Sequence, residues 1–326
     1  MRILILEHLH PDGIARLRAA SQEVVVALGL SRTELLRRVA WADVLVVRSV
    51  VRVDAELLSR AARLKAIARA GVGTDNIDLE EAAARGIEVL TVRGGNADAA
   101  ADFAVMQILC LIRHAHQARQ MMTAGDFRRE RLLGRDLHAL TVGIVGLGQV
   151  GSRVVGRLKG FGCRLLGCDI GLSPDECRAL GVERVSDIDA LIRQVDVLTL
   201  HVPLTPATRC LVSAEQFAQA RPGLMLVNIS RGAVVDETAL MAAIRAGRVA
   251  AAALDVFVDE PPFDAQPGEQ AYDNALLHVP EIISTPHMAA GTHDAERRIA
   301  ENLAEQLLRR EQAGLTRGPV PLANTL

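Results

Sequence analysis

The stretch LTVGIVGLGQVGSRVVGRLKGFG, residues 140–162, decides the fold. A β-branched run, TVGIV, is followed at once by Gly146-x-Gly148-x-x-Gly151 and then by apolar positions at helical spacing. That order reads as strand, tight turn and helix. Each glycine has its own task. Gly146 permits the turn, Gly148 lets backbone approach a pyrophosphate, and Gly151 lets helix and strand pack closely. Phosphate oxygens would meet backbone amides at the helix N-terminus, where the dipole favours negative charge. The next apolar run, CRLLGCD, ends on Asp169, eighteen residues beyond Gly151. Its carboxylate suits the hydroxyls of an adenosine ribose and would repel a 2′-phosphate. No Lys or Arg lies between Asp169 and Arg178, which favours NAD over NADP.

On either side of this unit, short β-branched runs alternate with amphipathic stretches. Strands are expected at RILIL, EVVVAL, DVLVVRS, LKAIAR and IEVLTV, and later at VDVLTLHV, GLMLVNIS, AAALDVF and EIISTP. Helices are expected at SRTELLRRVA and LEEAAARG, and one unbroken helix over 97–124, which contains no proline. A basic stretch, DFRRERLLGRDL, follows it. A last amphipathic helix is expected over 292–311, with the tail GLTRGPVPLANTL extended. The alternation predicts an α/β protein with two parallel-sheet domains and a cleft between them. A chain of 326 residues is long enough for two cores.

Composition excludes several classes. No apolar run reaches the ~18 residues of a membrane span, and the start, MRILILEHLHPDG, has no cleavable signal pattern. A formal charge of −2 gives no reason to expect nucleic acid or an anionic membrane as partner. The five cysteines are scattered and never form a C-x-x-C pair. That fits reduced thiols in a cytoplasmic protein rather than a disulfide framework or a zinc site, so no metal is expected.

Three further motifs carry ionisable groups to strand ends. NISRGAVVD places Arg231 just past an apolar run, ALDVFVDEPP places Asp255 and Glu260, and STPHMAAGT places His287. Open α/β sheets bind ligands at the carboxyl ends of their strands. Hydride transfer at a nicotinamide needs a companion proton transfer at the substrate oxygen, which an imidazole can perform. A carboxylate can orient that imidazole, and a guanidinium can clamp a substrate carboxylate through parallel hydrogen bonds. Singly, each residue has a plainer reading: a helix-start arginine, a solvated acidic turn, a histidine ending a strand. His201 is read in that last way, as structural.

Together with VVRSVVRV, RAGVGTDNIDL and HVPLTPAT, these motifs carry a resemblance along almost the whole chain. The sequence resembles the D-isomer-specific 2-hydroxyacid dehydrogenases, in particular their D-3-phosphoglycerate dehydrogenase branch. The resemblance implies two Rossmann-like or flavodoxin-like domains: a discontinuous substrate domain, 1–97 plus 292–326, and an NAD-binding domain, 98–291. It implies that Arg231, Glu260 and His287 are catalytic, with His287 as acid–base. It implies cofactor contacts at Val72, Gly146, Gly148, Gln149, Val150, Gly151, Asp169, Val202, Pro203, Ile229, Ser230, Asp255, Met288, Ala289 and Ala290. Arg48, Ser49, Arg69, Gly71, Gly73 and Asn96 would meet the substrate, and the Arg48–Arg69 pair favours one with a second negative charge. A cytoplasmic homodimer is expected.

Two departures bear on the substrate. The segment FDAQPGEQAYDNALLHVPE, between Glu260 and His287, is longer than the family's usual connection. The chain also ends soon after its last helix, so no C-terminal regulatory domain is expected. Hydroxypyruvate or glyoxylate reduction and sulfolactate oxidation are alternatives within this class. An NAD(H)-sensing scaffold like the corepressors that share this fold is the alternative from another class, and the complete Arg–Glu–His set argues for turnover instead.

Overall fold

In the computed structural model, which describes residues 1–20, 23–261 and 272–314, the β-branched runs form two all-parallel sheets. The first takes the strands β1 (Arg2–Ile5), β2 (Glu23–Val26), β3 (Val44–Val47), β4 (Ala66–Arg69) and β5 (Glu88–Thr91), in the order β2-β1-β3-β4-β5. The second takes β6 (Thr141–Val145), β7 (Arg164–Cys168), β8 (Glu183–Arg184), β9 (Val197–Leu200), β10 (Leu224–Asn228), β11 (Val249–Leu254) and β12 (Ile282–Ser284). Its order is β12-β11-β10-β9-β6-β7-β8, so the strand order reverses between β6 and β9. Such a reversal opens a crevice at the carboxyl ends of the strands.

The chain divides into two compact units, residues 1–96 with 291–314 and residues 97–261 with 272–290. In each, helices cover both faces of a sheet, and the two-residue period of the strands sorts side chains between them. In the second unit Val142, Ile144, Val197 and Val227 pack under the helices Ala97–Ile112 and Gly151–Leu158. Val145, Leu198, Leu200 and Leu226 pack on the other face against Leu191, Phe217 and Leu240. In the first unit the helix His293–Gln312 inserts Ile299, Leu303 and Leu307 against Ile3, Ile5, Val44 and Val46. Thr292 caps this helix, its side chain accepting the Ala295 amide at 3.1 Å.

The expected unbroken helix over 97–124 is instead two helices, Ala97–Ile112 and Ala115–Thr123. Between them His114 takes a left-handed conformation, φ 51°. The cause is tertiary. The Arg135 amide donates to the Ile112 carbonyl at 2.9 Å, and Gly134 lies so close that a Cβ there would sit 2.4 Å from the same oxygen. A chain segment twenty-odd residues downstream takes the carbonyl that the next helical turn would have used, which no local pattern announces. The two-residue strand β8 was likewise not expected. The extended tail, beyond residue 314, lies outside the described residues, as does 262–271 of the long connection.

Candidate active site

The glycine loop leaves β6 beside the end of β9, at the point where the strand order reverses. Gly146 has φ 84°, and a Cβ there would lie 2.7 Å from the His201 carbonyl oxygen. Gly151 lies closer still to its neighbours, since its Cβ would come within 1.9 Å of the Gly146 carbonyl. A Cβ on Gly148, in contrast, would meet nothing within 4 Å, so the turn presents bare backbone to open space. The first amides of a helix have no carbonyl partner within it, and the helix Gly151–Leu158 follows directly. Asp169 accepts the Leu147 amide on Oδ2 at 2.7 Å and the Gly171 amide on Oδ1 at 2.8 Å, tying the end of β7 to the same loop. An open backbone cradle at a helix start with a carboxylate alongside is the donor and acceptor set a dinucleotide needs.

The flanking residues have defined places. Arg153 donates to both the backbone and side-chain oxygens of Gln149, at 2.7 and 2.9 Å. Val150 stands at the helix start, packed against the core beneath. Val202 follows β9 and abuts Gly146, and the Pro203 carbonyl accepts the Thr208 hydroxyl at 2.5 Å. His201 bonds Thr199 Oγ1 through Nε2 at 3.0 Å, while its Nδ1 is sealed from solvent with no hydrogen-bond partner. Burial holds its pKa down to about 3, so the ring is neutral and structural. The unfolded chain takes up this proton near pH 6.5 and the folded one only near 3. Stability contributed by the neutral ring is therefore lost as pH falls through that window. Wild type should lose roughly 2–4 kcal/mol more than His201→Gln between pH 7 and pH 4 in urea unfolding. Parallel curves for the two proteins would contradict this assignment.

The loops that carry the remaining side chains leave the ends of β10, β11 and β12, where Glu260 meets His287 and Arg231 Nη1 donates to the Ser230 carbonyl at 2.8 Å. Asn228, 1% exposed, shapes the turn that carries Arg231. Its Oδ1 accepts the Ser230 amide and hydroxyl at 3.0 and 2.8 Å, and its Nδ2 donates to the Arg231 carbonyl at 2.9 Å. Ile229, between them, is buried. Gly232 then packs on the next loop, where a Cβ would fall 2.0 Å from the Phe257 carbonyl carbon. That loop carries Glu260, whose Oε1 accepts the Phe257 amide at 2.8 Å and whose Oε2 meets His287 Nδ1 at 2.7 Å. Glu260 and His287 side chains are 22% and 29% exposed, so the pair is sheltered yet reachable.

Asp255 is wholly buried. Its Oδ1 accepts the Thr285 hydroxyl and the Met288 amide, at 2.6 and 3.0 Å, and its Oδ2 accepts the Ala289 amide at 2.7 Å. Its carbonyl also accepts the His287 amide at 2.8 Å. Whatever else it does, this residue brackets the histidine loop from below. Met288 is half exposed, Ala289 buried and Ala290 partly covered.

Sequence reasoning missed Asn228 and Glu237. Glu237 accepts the Val258 amide at 2.7 Å and the Asn274 side chain at 2.9 Å, joining the Glu260 loop to the returning connection. An asparagine closing an apolar run, and an acid in VVDE, were the available signals. Among the described residues no His, Cys, Asp or Glu cluster could hold a metal ion. Burial raises the thiol pKa values of Cys163, Cys168 and Cys177, which keeps them protonated.

The residues expected to meet substrate lie in the first unit. Arg48 and Ser49 follow β3, and Arg48 Nη1 donates to Glu296 Oε1 at 3.1 Å. Arg69 ends β4, and its guanidinium lies over Gly71, where a Cβ would be 1.6 Å from Nη1. Val72 is 47% exposed, Gly73 is part-buried beside it, and Asn96 sits directly before the helix Ala97–Ile112.

Residues 105–289 match the profile of the D-isomer specific 2-hydroxyacid dehydrogenase NAD binding domain. The chain is 39% identical over 324 residues to the D-3-phosphoglycerate dehydrogenase of Methanocaldococcus jannaschii, covering 99% of this chain and 60% of the relative. It thus spans about three fifths of the length of that curated relative. The crystal structure of the TT0316 protein from Thermus thermophilus superimposes with a TM-score of 0.84 at 35% identity, covering 96% of this chain and 97% of the other. A D-lactate dehydrogenase from Aquifex aeolicus, solved with NAD and lactic acid, gives 0.83 at 26% identity with 97% of each chain covered. With the profile spanning more than half of its residues, and the glycine loop and the Glu260–His287 pair on one sheet, the chain belongs to the D-isomer-specific 2-hydroxyacid dehydrogenase family.

Proposed function

We propose that this chain is an NAD-dependent oxidoreductase acting between a small anionic D-2-hydroxy acid and its 2-keto acid, D-3-phosphoglycerate dehydrogenase-like in substrate class. The observation that carries the reading is the 2.7 Å contact between His287 Nδ1 and Glu260 Oε2, at the carboxyl ends of the sheet that bears the glycine loop. A nicotinamide, when bound, supplies or accepts the hydride. The protein's own residues do the rest. His287 gives a proton to the keto oxygen in reduction and takes it back in oxidation, through Nε2, with Nδ1 turned to Glu260. Glu260 fixes that orientation. Arg231, on the turn shaped by Asn228, clamps the substrate carboxylate and polarises the carbonyl.

The remaining contacts follow the same reading. Backbone at Gly148, Gln149 and Val150 would hold phosphate, with Asp169 on the ribose, while Val202, Pro203, Ile229, Ser230 and the Met288–Ala290 backbone would line the cofactor. Arg48, Ser49, Arg69, Gly71, Gly73 and Asn96 would serve substrate recognition, with Val72 at the cofactor. A homodimer formed through the second unit is the expected assembly, and Phe127 and Leu133, 79% and 81% exposed, lie in that unit.

The test is NADH oxidation with 3-phosphohydroxypyruvate, hydroxypyruvate, glyoxylate, sulfopyruvate and 2-oxoglutarate. Turnover with none of them would remove the reading. Asp169→Ala should weaken NADH binding about tenfold or more and narrow the preference over NADPH, since one charge-assisted contact goes and a repulsion is relieved. Fluorescence titration with both cofactors checks it, and an unchanged preference would exclude Asp169 from the ribose site.

A further inference from the structure

Where the first unit offers a cation for a substrate's tail, the chain has already supplied its own anions. After β3 the chain turns through Arg48, Ser49, Val50 and Val51. Glu7 fills that turn: its carboxylate accepts the amides of Arg48, Val50 and Val51 at 2.6, 2.8 and 3.2 Å. Asn76 closes the turn from the other side, its Nδ2 donating to the Arg48 and Val51 carbonyls at 3.0 and 2.7 Å. Three of the four amides of this turn are therefore engaged by Glu7, and the Arg48 guanidinium is the charge the turn presents.

That guanidinium faces Glu296, in the first turn of the helix His293–Gln312, at 3.1 Å. The helix dipole favours a carboxylate there. The two side chains are 34% and 27% exposed, so water and salt screen them less than a surface pair. One carboxylate thus holds the backbone of Arg48 and another its guanidinium, and a second anion brought to that guanidinium would meet the negative charge of Glu296.

We propose that Glu296 is an internal competitor for Arg48 and sets the charge selectivity of the reaction. This rests on the oxidoreductase reading above and refines its substrate class. A keto acid whose tail is uncharged meets no rival; one with a phosphate or sulfonate tail engages Arg48 only after Glu296 is displaced. Like charges juxtaposed in a half-buried contact oppose binding strongly, so relieving the conflict should raise selectivity about 10–100-fold.

The experiment compares the full chain with Glu296→Gln and with the Arg48→Ala/Glu296→Gln double variant. Under saturating NADH, the ratio of kcat/KM for 3-phosphohydroxypyruvate over that for glyoxylate should rise about 10–100-fold in Glu296→Gln, chiefly through KM. The double variant should lose the gain. Calorimetry with inorganic phosphate, which needs no turnover, should show tighter binding to Glu296→Gln than to wild type or the double variant. A ratio that stays level or falls would overturn the proposal, because a Glu296 that merely orients Arg48 predicts a fall. Equal phosphate affinity in all three proteins would overturn it as well. Absence of turnover with every acid condemns the oxidoreductase reading instead, while the calorimetry still decides whether Glu296 competes. Circular dichroism melts confirm that the variants are folded, and Glu296→Ala repeats the test if glutamine disturbs the helix start.

Discussion

Replacing His287 by glutamine should lower kcat by ~10²–10⁴ while leaving NADH affinity within a few-fold of wild type, the range for losing a positioned general acid–base. Glutamine preserves much of the shape and can still hydrogen-bond Glu260, but it cannot exchange a proton near neutral pH. Glu260 is itself anchored by the Phe257 amide at 2.8 Å, so its carboxylate arrives at Nδ1 already oriented. Nδ1 meets that carboxylate, so in this reading Nε2 exchanges the proton with the substrate oxygen. The glycine loop and Asp169 form a separate hydrogen-bonded group around β6 and β7. Cofactor affinity should therefore survive the change. Single-turnover NADH oxidation and fluorescence titration separate the two effects. A variant with undiminished kcat would show that another group moves the proton, and equal losses in kcat and NADH binding would point to a collapsed loop instead.

How much of this could be read beforehand depends on whether the information was local. The glycine loop was legible because strand, turn and helix are consecutive, with Gly151 pressed on the Gly146 carbonyl and Gly146 on the adjacent strand's end. The strands Val44–Val47 and Leu224–Asn228 were legible because β-branched and apolar runs buried on both faces have few other uses. The break at His114 was not, because the cause is an amide at residue 135. Arg48 was recognisable as a cation at a strand end, but its partner lies 248 residues away on the last helix. The sequence thus showed the charge and concealed its neutralisation. Asn228 and Glu237 escaped for a related reason. Their value lies in the backbone groups they satisfy, and those groups are defined only after the loops have folded.

Asp255→Ala should destabilise the protein by about 3–5 kcal/mol and also lower kcat by tenfold or more, although the residue need not touch any reacting atom. The carboxylate is fully buried, and three donors converge on it from Thr285, Met288 and Ala289. Alanine leaves those donors facing an apolar gap, and each unsatisfied group costs about 1–3 kcal/mol. Relief from burying the charge offsets part of that sum, which is why the expected total stays in the lower part of the simple addition. The catalytic consequence comes from His287 itself. It occupies the left-handed region at φ 49°, a conformation costing a non-glycine residue about 1–2 kcal/mol. The bracket on both sides of it offsets that strain: Thr285 before, Met288 and Ala289 after. Without the carboxylate the loop should relax toward ordinary backbone and carry the imidazole away from Glu260. Asp255→Asn, which keeps the volume and one acceptor, should fall between wild type and alanine in both urea midpoint and kcat. Addition of NADH should restore some stability to each variant by mass action, yet the catalytic loss should persist at saturation. If alanine were tolerated with less than about 1 kcal/mol of lost stability, the three donors would have to find other partners, and the loop that presents His287 would be held by something other than this carboxylate.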